Sequence, residues 1–169
     1  MGPRRYELAQ VNIGRLLAPL DDPLIADFVS DLVPVNAVAD RADGFVWRLQ
    51  DGPDATSLRI FDDDWLMVNM SVWTTPAALV AYIYGTEHRA VLRRRREWFA
   101  RLDEAMTALW WVPADHRPTV KEAERALITL RANGPTAESF TLRELFPAPD
   151  GTGAEPIDQL QRRRPAECG

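Results

Sequence analysis

The chain has 169 residues and is 46% hydrophobic with six tryptophans, so it is long enough to bury one core and is expected to form a single globular domain. Its formal net charge of −5 disfavours nucleic acids and anionic membranes as partners, because both bind proteins through basic surfaces. No uninterrupted apolar run is as long as the roughly 18 residues that suggest a membrane helix, and the N-terminus lacks a signal-peptide pattern. A cytoplasmic protein is therefore expected. The single cysteine, Cys168, cannot form an internal disulfide and makes a structural zinc site a poor hypothesis.

The first half of the chain predicts a strand, a helix and further strands. Residues 6–16 alternate in polarity and predict the first strand. An aspartate and a proline at 22–23 open a helix over 23–40, which Pro34 is expected to kink or interrupt because proline lacks the amide hydrogen. Further strands are predicted at 45–50, 57–61 and 65–73, the first two of them joined by a turn at 51–54.

The second half predicts helices, one more strand and a tail. The apolar stripe changes phase at Gly85, so two helices are expected, over 76–84 and 87–101, with Thr86 as the N-cap of the second. The elements predicted after them are a strand at 107–112, a helix from Thr119 to 133 with capping-box spacing, a short strand or helix at 140–146, and a flexible tail at 148–169. The domain is therefore expected to span residues 1–147, including a C-terminal helical addition.

This order of elements is typical of one fold. The sequence β, α, β, β, α, β predicts an α+β protein with a ferredoxin-like antiparallel sheet and helices on one face. The other face is expected to be too aromatic to stay exposed, because it would carry Trp47, Trp73, Trp110 and Trp111. A homodimer whose two sheets close a barrel is the simplest way to cover that face.

Five separated segments resemble a known family in order and spacing: LAQVNIGRL, NAVADRADGFVWRLQ, NMSVW, YGTEHRAVLRRRREWF and LWWVPADHRPTVKEA. The family is an uncharacterised bacterial one placed with the antibiotic biosynthesis monooxygenase-like dimeric α/β barrels, and the resemblance covers about residues 6–146. It implies a dimeric ferredoxin-like α/β barrel. Distant relatives include cofactor-independent monooxygenases, polyketide cyclases and haem enzymes, so the resemblance implies small-molecule chemistry with either no cofactor or haem.

His88 is the main catalytic candidate. In the predicted helix it lies near the N-terminus, on the face of Arg95 and Phe99, so it is expected to face protein. The positive end of the helix dipole favours a neutral imidazole, which can act as a general base or a metal ligand. The structural alternative is a histidine that hydrogen-bonds a backbone carbonyl or caps the break at Gly85.

The other candidate residues are polar or aromatic groups expected to share a cavity with that histidine. Tyr84 would contribute a hydroxyl, and Arg95 is the one member of the basic run 93–96 with the phase to point inward. Asn69 would polarise a substrate carbonyl. Asn69, Tyr84 and Arg95 are thus further predicted catalytic residues beside that histidine. The predicted substrate-binding residues are Gln10, Asn12, Trp47, Ser71, Trp73 and Trp111. For each of them the alternative is packing, or hydrogen bonding to a neighbouring polar group at a dimer seam.

Three functional hypotheses follow. The first is a monooxygenase or cyclase acting on a hydrophobic or aromatic small molecule, with His88 as general base and Asn69 or Gln10 stabilising the developing negative charge. The second is a haem-binding enzyme with His88 as axial ligand. The third is a non-catalytic dimeric ligand-binding protein. The sequence contains no glycine-rich phosphate loop, paired-histidine metal spacing or nucleophile elbow, so nucleotide cofactors and hydrolase chemistry have no support.

Overall fold

The structure, a computed structural model, describes residues 4–50 and 59–153. Its elements in chain order are β1 (Tyr6–Arg15), α1 (Ala26–Arg41), β2 (Phe45–Arg48), β3 (Leu66–Trp73), α2 (Pro76–Ile83), α3 (Thr86–Arg93), α4 (Arg95–Trp98), β4 (Thr107–Pro113) and α5 (Val120–Asn133). A short 3-10 helix precedes α1, and the carboxylate of Asp22 caps it by accepting a hydrogen bond from the backbone N–H of Leu24 at 2.8 Å.

The four strands form one antiparallel sheet in the order β2-β3-β1-β4. A helix connects β1 to β2, and a second group of helices connects β3 to β4, which is the ferredoxin-like arrangement. The predicted α+β, ferredoxin-like fold is therefore confirmed. Strands β2 and β4 are edges, so the sheet of one chain is open and is not closed into a barrel.

The side of the sheet that faces α1 to α4 carries two separate apolar clusters. One cluster lies beneath α2 and contains Leu8, Trp73, Leu79, Leu109 and Phe140. The other lies beneath α1 and α4 and contains Leu16, Ala18, Ile25, Phe28 and Trp98. Between them β1 presents Gln10 and Asn12, which pair across the sheet with Ser71 and Asn69 of β3. This helix-facing side is thus apolar at its two ends and polar in its middle.

The opposite side of the sheet is covered in part by α5. Its buried residues Ala123, Ala126, Leu127 and Leu130 join the cluster formed by Ala9, Val11, Ala108, Trp110 and Val112. The helix begins with the predicted capping box, in which the Thr119 hydroxyl accepts from the N–H of Glu122 and the Glu122 carboxylate accepts from the N–H of Thr119. The other face was expected to be left uncovered within one chain, and this expectation was wrong, because the C-terminal addition folds back across it.

The four tryptophans expected on one face are divided between both. Trp47 and Trp110 pack in the cluster under α5, whereas Trp73 and Trp111 pack on the helix-facing side. A bulge between Phe45 and Trp47 shifts the register of β2, so that Phe45 packs edge-on against Trp73 with ring centroids 5.5 Å apart. One extra residue in a strand reverses the side to which later side chains point, which explains the incorrect side predicted for Trp47. Trp110 and Trp111 are adjacent in β4 and point to opposite sides by simple alternation.

The predicted break near Gly85 is confirmed. Helix α2 ends at Ile83 and α3 begins at Thr86, so Gly85 rather than Thr86 occupies the N-cap position. The second predicted helix was too long, because it ends at Arg93 and a separate short helix follows. Pro34 does not interrupt its helix, which runs continuously from Ala26 to Arg41.

Three predicted segments lie wholly or partly outside the described residues. The predicted turn at 51–54 and the first half of the strand at 57–61 fall there, and the described remainder of that strand has an isolated bridge between Ile60 and Asp63. Of the predicted tail, residues 154–169 fall there as well. Residues 148–153 form a turn closed by a hydrogen bond from the Ala148 N–H to the Thr152 carbonyl at 2.8 Å.

Candidate functional site

A strip of hydrogen-bonding side chains runs between the two apolar clusters on the helix-facing side of the sheet. This polar strip consists of Gln10, Asn12, Asn69, Ser71 and Thr107. The Ser71 hydroxyl donates to Oε1 of Gln10 at 2.9 Å and accepts from Nε1 of Trp73 at 2.9 Å. The Asn12 amide donates to the Thr107 hydroxyl at 2.8 Å. Period-two alternation along three adjacent strands brings these groups to one surface.

Asn69 is the accessible member of the strip. It lies on β3 directly opposite Asn12 of β1. Its side chain is exposed to solvent even though β3 is an interior strand of the sheet. Within the described part of the chain, its side-chain amide has no hydrogen-bond partner. Solvent therefore reaches the helix-facing side at this point, and the amide is available to a ligand.

Arg95 reaches the strip from α4. Its Nη2 donates to the backbone carbonyl of Ile13 at 3.1 Å, and Nη1 lies 3.5 Å from Oδ1 of Asn12. The guanidinium also lies 5.2 Å over the ring of Phe99. That ring packs on Gly14, where a Cβ atom would lie only 2.6 Å from Cδ1 of Phe99, so the missing side chain sets the position of the ring.

Burial lowers the pKa of the Arg95 guanidinium from its ordinary value, but an arginine so placed still carries its charge at neutral pH. Its neighbour Arg94 behaves differently. That side chain points outward and pairs with Asp27 at 2.7 Å and with Glu97 at 2.6 Å. The inward orientation predicted for one arginine of the basic run therefore agrees with the structure.

His88 lies elsewhere, in an open cleft of about 430 Å³ between α1, α2 and α3. The described residues around it are Val38, Arg41, Ala42, Asp43, Ala78, Ala81, Tyr82 and Gly85. Its Nδ1 is 3.2 Å from the carbonyl oxygen of Ile83, which is the backbone contact expected under the structural alternative. Burial lowers the pKa of the half-buried imidazole, and this hydrogen bond opposes the effect. The neutral ring therefore donates from Nδ1 and leaves the Nε2 lone pair directed away from that bond.

Tyr82 lies between His88 and the strip. Its ring stacks on Trp73 at a centroid distance of 5.1 Å and contacts the His88 ring at 4.9 Å. Trp73 itself is 1% exposed, so it closes the strip on that side. Desolvation raises the pKa of Tyr82 to about 12, which keeps its hydroxyl protonated. None of the strip residues belongs to the described lining of the His88 cleft.

The structure thus brings together some of the predicted site residues and separates others. Those on or beside the strip are Gln10, Asn12, Asn69, Ser71, Trp73 and Arg95. Tyr84 is 42% exposed and lines a different depression with Arg89, Leu92 and Arg93. Trp47 packs on the opposite side of the sheet, and Trp111 is covered by the C-terminal segment, where its Nε1 donates to the Phe146 carbonyl at 2.9 Å.

Thr107 is a member of the strip that the sequence interpretation missed. The signal was present, because alternation along TALWWV places it on the same side as Leu109 and Trp111. Among the described residues, no group of three or more histidine, cysteine, aspartate or glutamate side chains is arranged to hold a metal ion. Within the same part of the chain, no helix combines the length and apolarity needed to cross a membrane.

Comparison with known proteins gives a family match and similar folds. A family model described as "Domain of unknown function (DUF3291)" matches residues 7–155. No curated protein matches the sequence. SnoaB, a cofactor-independent oxygenase from Streptomyces nogalater, is 21% identical over 67% of this chain and 95% of its own, with a TM-score of 0.41. Rv0793 from Mycobacterium tuberculosis is 13% identical over 66% of this chain and 99% of its own, with a TM-score of 0.45.

A further structure of similar fold is NE2512, a protein of unknown function from Nitrosomonas europaea. It is 12% identical over 69% of this chain and 96% of its own, with a TM-score of 0.43. The oxygenase activity named among these structures is a property of SnoaB.

Proposed function

We propose that this chain, which belongs to the DUF3291 family of domains of unknown function, is a small-molecule-modifying enzyme that binds its substrate at the polar strip. One observation carries the proposal: Asn69 is exposed in the middle of a sheet face whose two ends are covered by helices. Small-molecule sites are typically concave and apolar, with a few convergent polar groups. The strip has that composition, since its amides and hydroxyls lie between two apolar clusters.

The proposed chemistry is that of a monooxygenase or cyclase acting on a hydrophobic or aromatic substrate. Both reactions begin when a proton leaves a carbon beside a carbonyl group or leaves a phenol, so negative charge develops on oxygen. In an oxygenase the resulting carbanion is oxidised by molecular oxygen and takes up a proton to give a hydroperoxide, which loses water to leave a carbonyl group on that carbon. In a cyclase it adds to a second carbonyl of the same molecule, and the alkoxide formed takes up a proton from water. The amide N–H groups of Asn69 can donate to the charged oxygen, which is the role predicted for this residue from the sequence.

The proton acceptor in this proposal is solvent water, which reaches the strip at Asn69, and not His88. That histidine lies in its own cleft, with the Tyr82 and Trp73 rings between it and the strip. A general-base role for His88 requires a substrate that enters the α1–α3 cleft instead. The two locations make opposite predictions for single variants, so the hypotheses can be separated by experiment.

The haem hypothesis fits the structure poorly. It requires an aromatic pocket around His88 that can surround a porphyrin. Among the described residues, Tyr82 is the only aromatic neighbour in that cleft, and the rest of the lining is small or charged. Trp73 and Trp111, two of the aromatic residues predicted to bind the substrate, pack in the cluster beneath α2 and do not line the cleft. The residues present therefore do not fit a haem group with His88 as its ligand.

The experiment uses anthrone, an enolisable aromatic ketone, and measures oxygen uptake and product formation. Wild-type protein should accelerate oxidation, and Asn69→Ala should lower the rate by about 10²-fold, the usual effect of removing one oxyanion donor. Asn133→Ala is the matched control, because Asn133 is exposed at the end of α5. Full activity in Asn69→Ala together with loss of activity in His88→Ala would move the site to the His88 cleft. Tight binding without turnover of any enolisable substrate would favour the non-catalytic ligand-binding alternative.

A further inference from the structure

The charge of Arg95 has no counter-charge among the described residues. Its contacts are the carbonyl of Ile13, the Oδ1 of Asn12, the ring of Phe99 and the sulfur of Met106, which lies 3.6 Å from Nη2. All of these partners are uncharged. Other arginines of the chain have carboxylate partners, namely Arg15 with Asp63, Arg48 with Asp40, Arg94 with Asp27 and Glu97, and Arg131 with Glu104. Arg95 is thus a half-buried cation held by neutral groups.

Such an arrangement is costly for stability, because burying a charge without a partner loses hydration that neutral contacts replace only in part. Arg95 is nevertheless held in place by several contacts. The Phe99 ring lies under it, and the same ring is held between Gly14 and the ring of Phe28, 5.0 Å away and edge-on. A supported cation that lacks a counter-charge is pre-organised for an anion that comes from outside the chain.

The neighbouring groups indicate what kind of anion fits. Asn69 offers amide donors on the strand next to Asn12, so an anionic oxygen can meet both an arginine and an amide. The ring of Phe99 and the thioether of Met106 supply apolar contacts beside the guanidinium. A small inorganic anion would leave those apolar groups uncovered, whereas an organic anion with an aromatic or hydrophobic body would cover them.

We propose that the ligand of the polar strip is an aromatic or hydrophobic anion, a carboxylate or an ionised phenol or enol, and that Arg95 is its counter-charge. This inference rests on the proposed function for its location and adds the charge of the substrate. It also assigns Arg95 a binding role at the strip. Both kinds of ligand carry an anionic oxygen on an apolar body. A carboxylate probe and a phenolate probe distinguish between them.

The test measures direct binding by calorimetry, with benzoate as the carboxylate, 4-nitrophenolate as the phenolate and benzamide as the uncharged analogue of benzoate. Benzoate or 4-nitrophenolate should bind at least about tenfold more tightly than benzamide, because a charge-assisted hydrogen bond is replaced by a neutral one. Arg95→Met should remove this preference, and Arg94→Met, which alters an arginine already paired with carboxylates, should retain it. The preference should weaken as salt is added.

Stability supplies the second readout. Because Arg95 has no counter-charge, Arg95→Met should unfold at a urea concentration equal to or higher than that of the wild type. A large loss of stability would mean that Arg95 also supports the fold, and the decision would then rest on the wild-type protein, in which an unchanged Met106 signal on addition of benzoate would overturn the inference. If that variant fails to fold, the wild-type protein with labelled methionine methyl groups gives the answer, because benzoate should shift the Met106 signal and not that of Met70, which is buried under α5.

The outcomes for the two proposals are distinguishable. Arg95-dependent benzoate binding without any turnover of anthrone would uphold the anion site and count against the enzyme proposal. Turnover that depends on Asn69, together with equal affinity for benzoate and benzamide, would uphold the enzyme proposal and overturn the anion site. An unchanged preference for anions in Arg95→Met would also overturn it, since the charge would then be recognised elsewhere.

Discussion

Gly14→Ala tests whether the close packing of Phe99 on the first strand positions Arg95. A Cβ built at Gly14 lies 2.6 Å from Cδ1 and 2.9 Å from Cε1 of Phe99, closer than the 3.0 Å below which real Cβ contacts essentially never occur. The ring cannot retreat freely, because Phe28 packs against it with centroids 5.0 Å apart. The substitution should therefore shift the ring and the guanidinium that lies over it.

The expected size of the effect combines two opposing contributions. Overpacking a methyl group into a filled core costs about 1–3 kcal/mol, and replacing glycine by alanine within a strand recovers about 0.5–1 kcal/mol. At the middle of these two ranges, the free energy of unfolding should fall by about 1 kcal/mol. Benzoate affinity should fall as well, because Arg95 depends on the Phe99 ring for its position.

Urea unfolding followed by tryptophan fluorescence gives the stability, and a double-mutant cycle gives the cause. Phe99→Ala alone should destabilise the protein by leaving a cavity, but in the double variant the added methyl group has space, so the two losses should sum to more than the measured total. Additive losses, or a Gly14→Ala variant as stable as the wild type, would refute the proposed role of the Gly14–Phe99 contact.

Two further predictions concern pH and assembly. The pKa of His88 is lowered by burial from 6.5, so as pH falls below about 6.5 the unfolded chain binds a proton that the folded chain does not, and the free energy of unfolding should decrease. His88→Gln should make unfolding in urea less dependent on pH between about pH 7 and about pH 5, and an unchanged slope would assign the effect to other groups. We propose, as the sequence predicted, that the chain forms a homodimer, and Trp47→Glu, at a half-buried position of edge strand β2 on the side of the sheet that α5 covers only in part, should dissociate it in sedimentation equilibrium. Trp65→Glu, at an exposed site, is the control, and a monomeric wild type would end that proposal.

The polar strip could be predicted in large part because it depends only on alternation and strand pairing. Gln10 and Asn12 share a side of β1 by period two, and antiparallel register places Ser71 and Asn69 opposite them. The start of α5 was predictable for a similar reason, since its capping box is formed by two residues only three positions apart. Strand alternation and helix capping depend on residues close together in the sequence, so both can be predicted without knowing the rest of the fold.

Other features depended on contacts that no local rule contains. The bulge in β2 reversed the side of Trp47, and α5 covered a face that the element order alone left open. The face of the helix on which His88 lies was predicted from the residues around it in sequence, but tertiary packing decides what that face packs against. In the structure His88 faces the cleft beside α1 and not the sheet.

The position of Tyr82 has a consequence for the proposed chemistry. Its ring fills the space between Trp73 and His88, so the stacking that buries Trp73 also keeps the imidazole from the strip. Because His88 does not reach the strip, the loss of a proton from a bound phenol or enol depends on the acidity of the substrate itself. A neighbouring cation favours the ionised form and lowers the pKa of such a group, and Arg95 lies beside the strip without a carboxylate partner in the described chain. An arginine and an exposed amide can thus stabilise the anion on which either an oxygenase or a cyclase would act, while the proton passes to solvent water at the exposed Asn69.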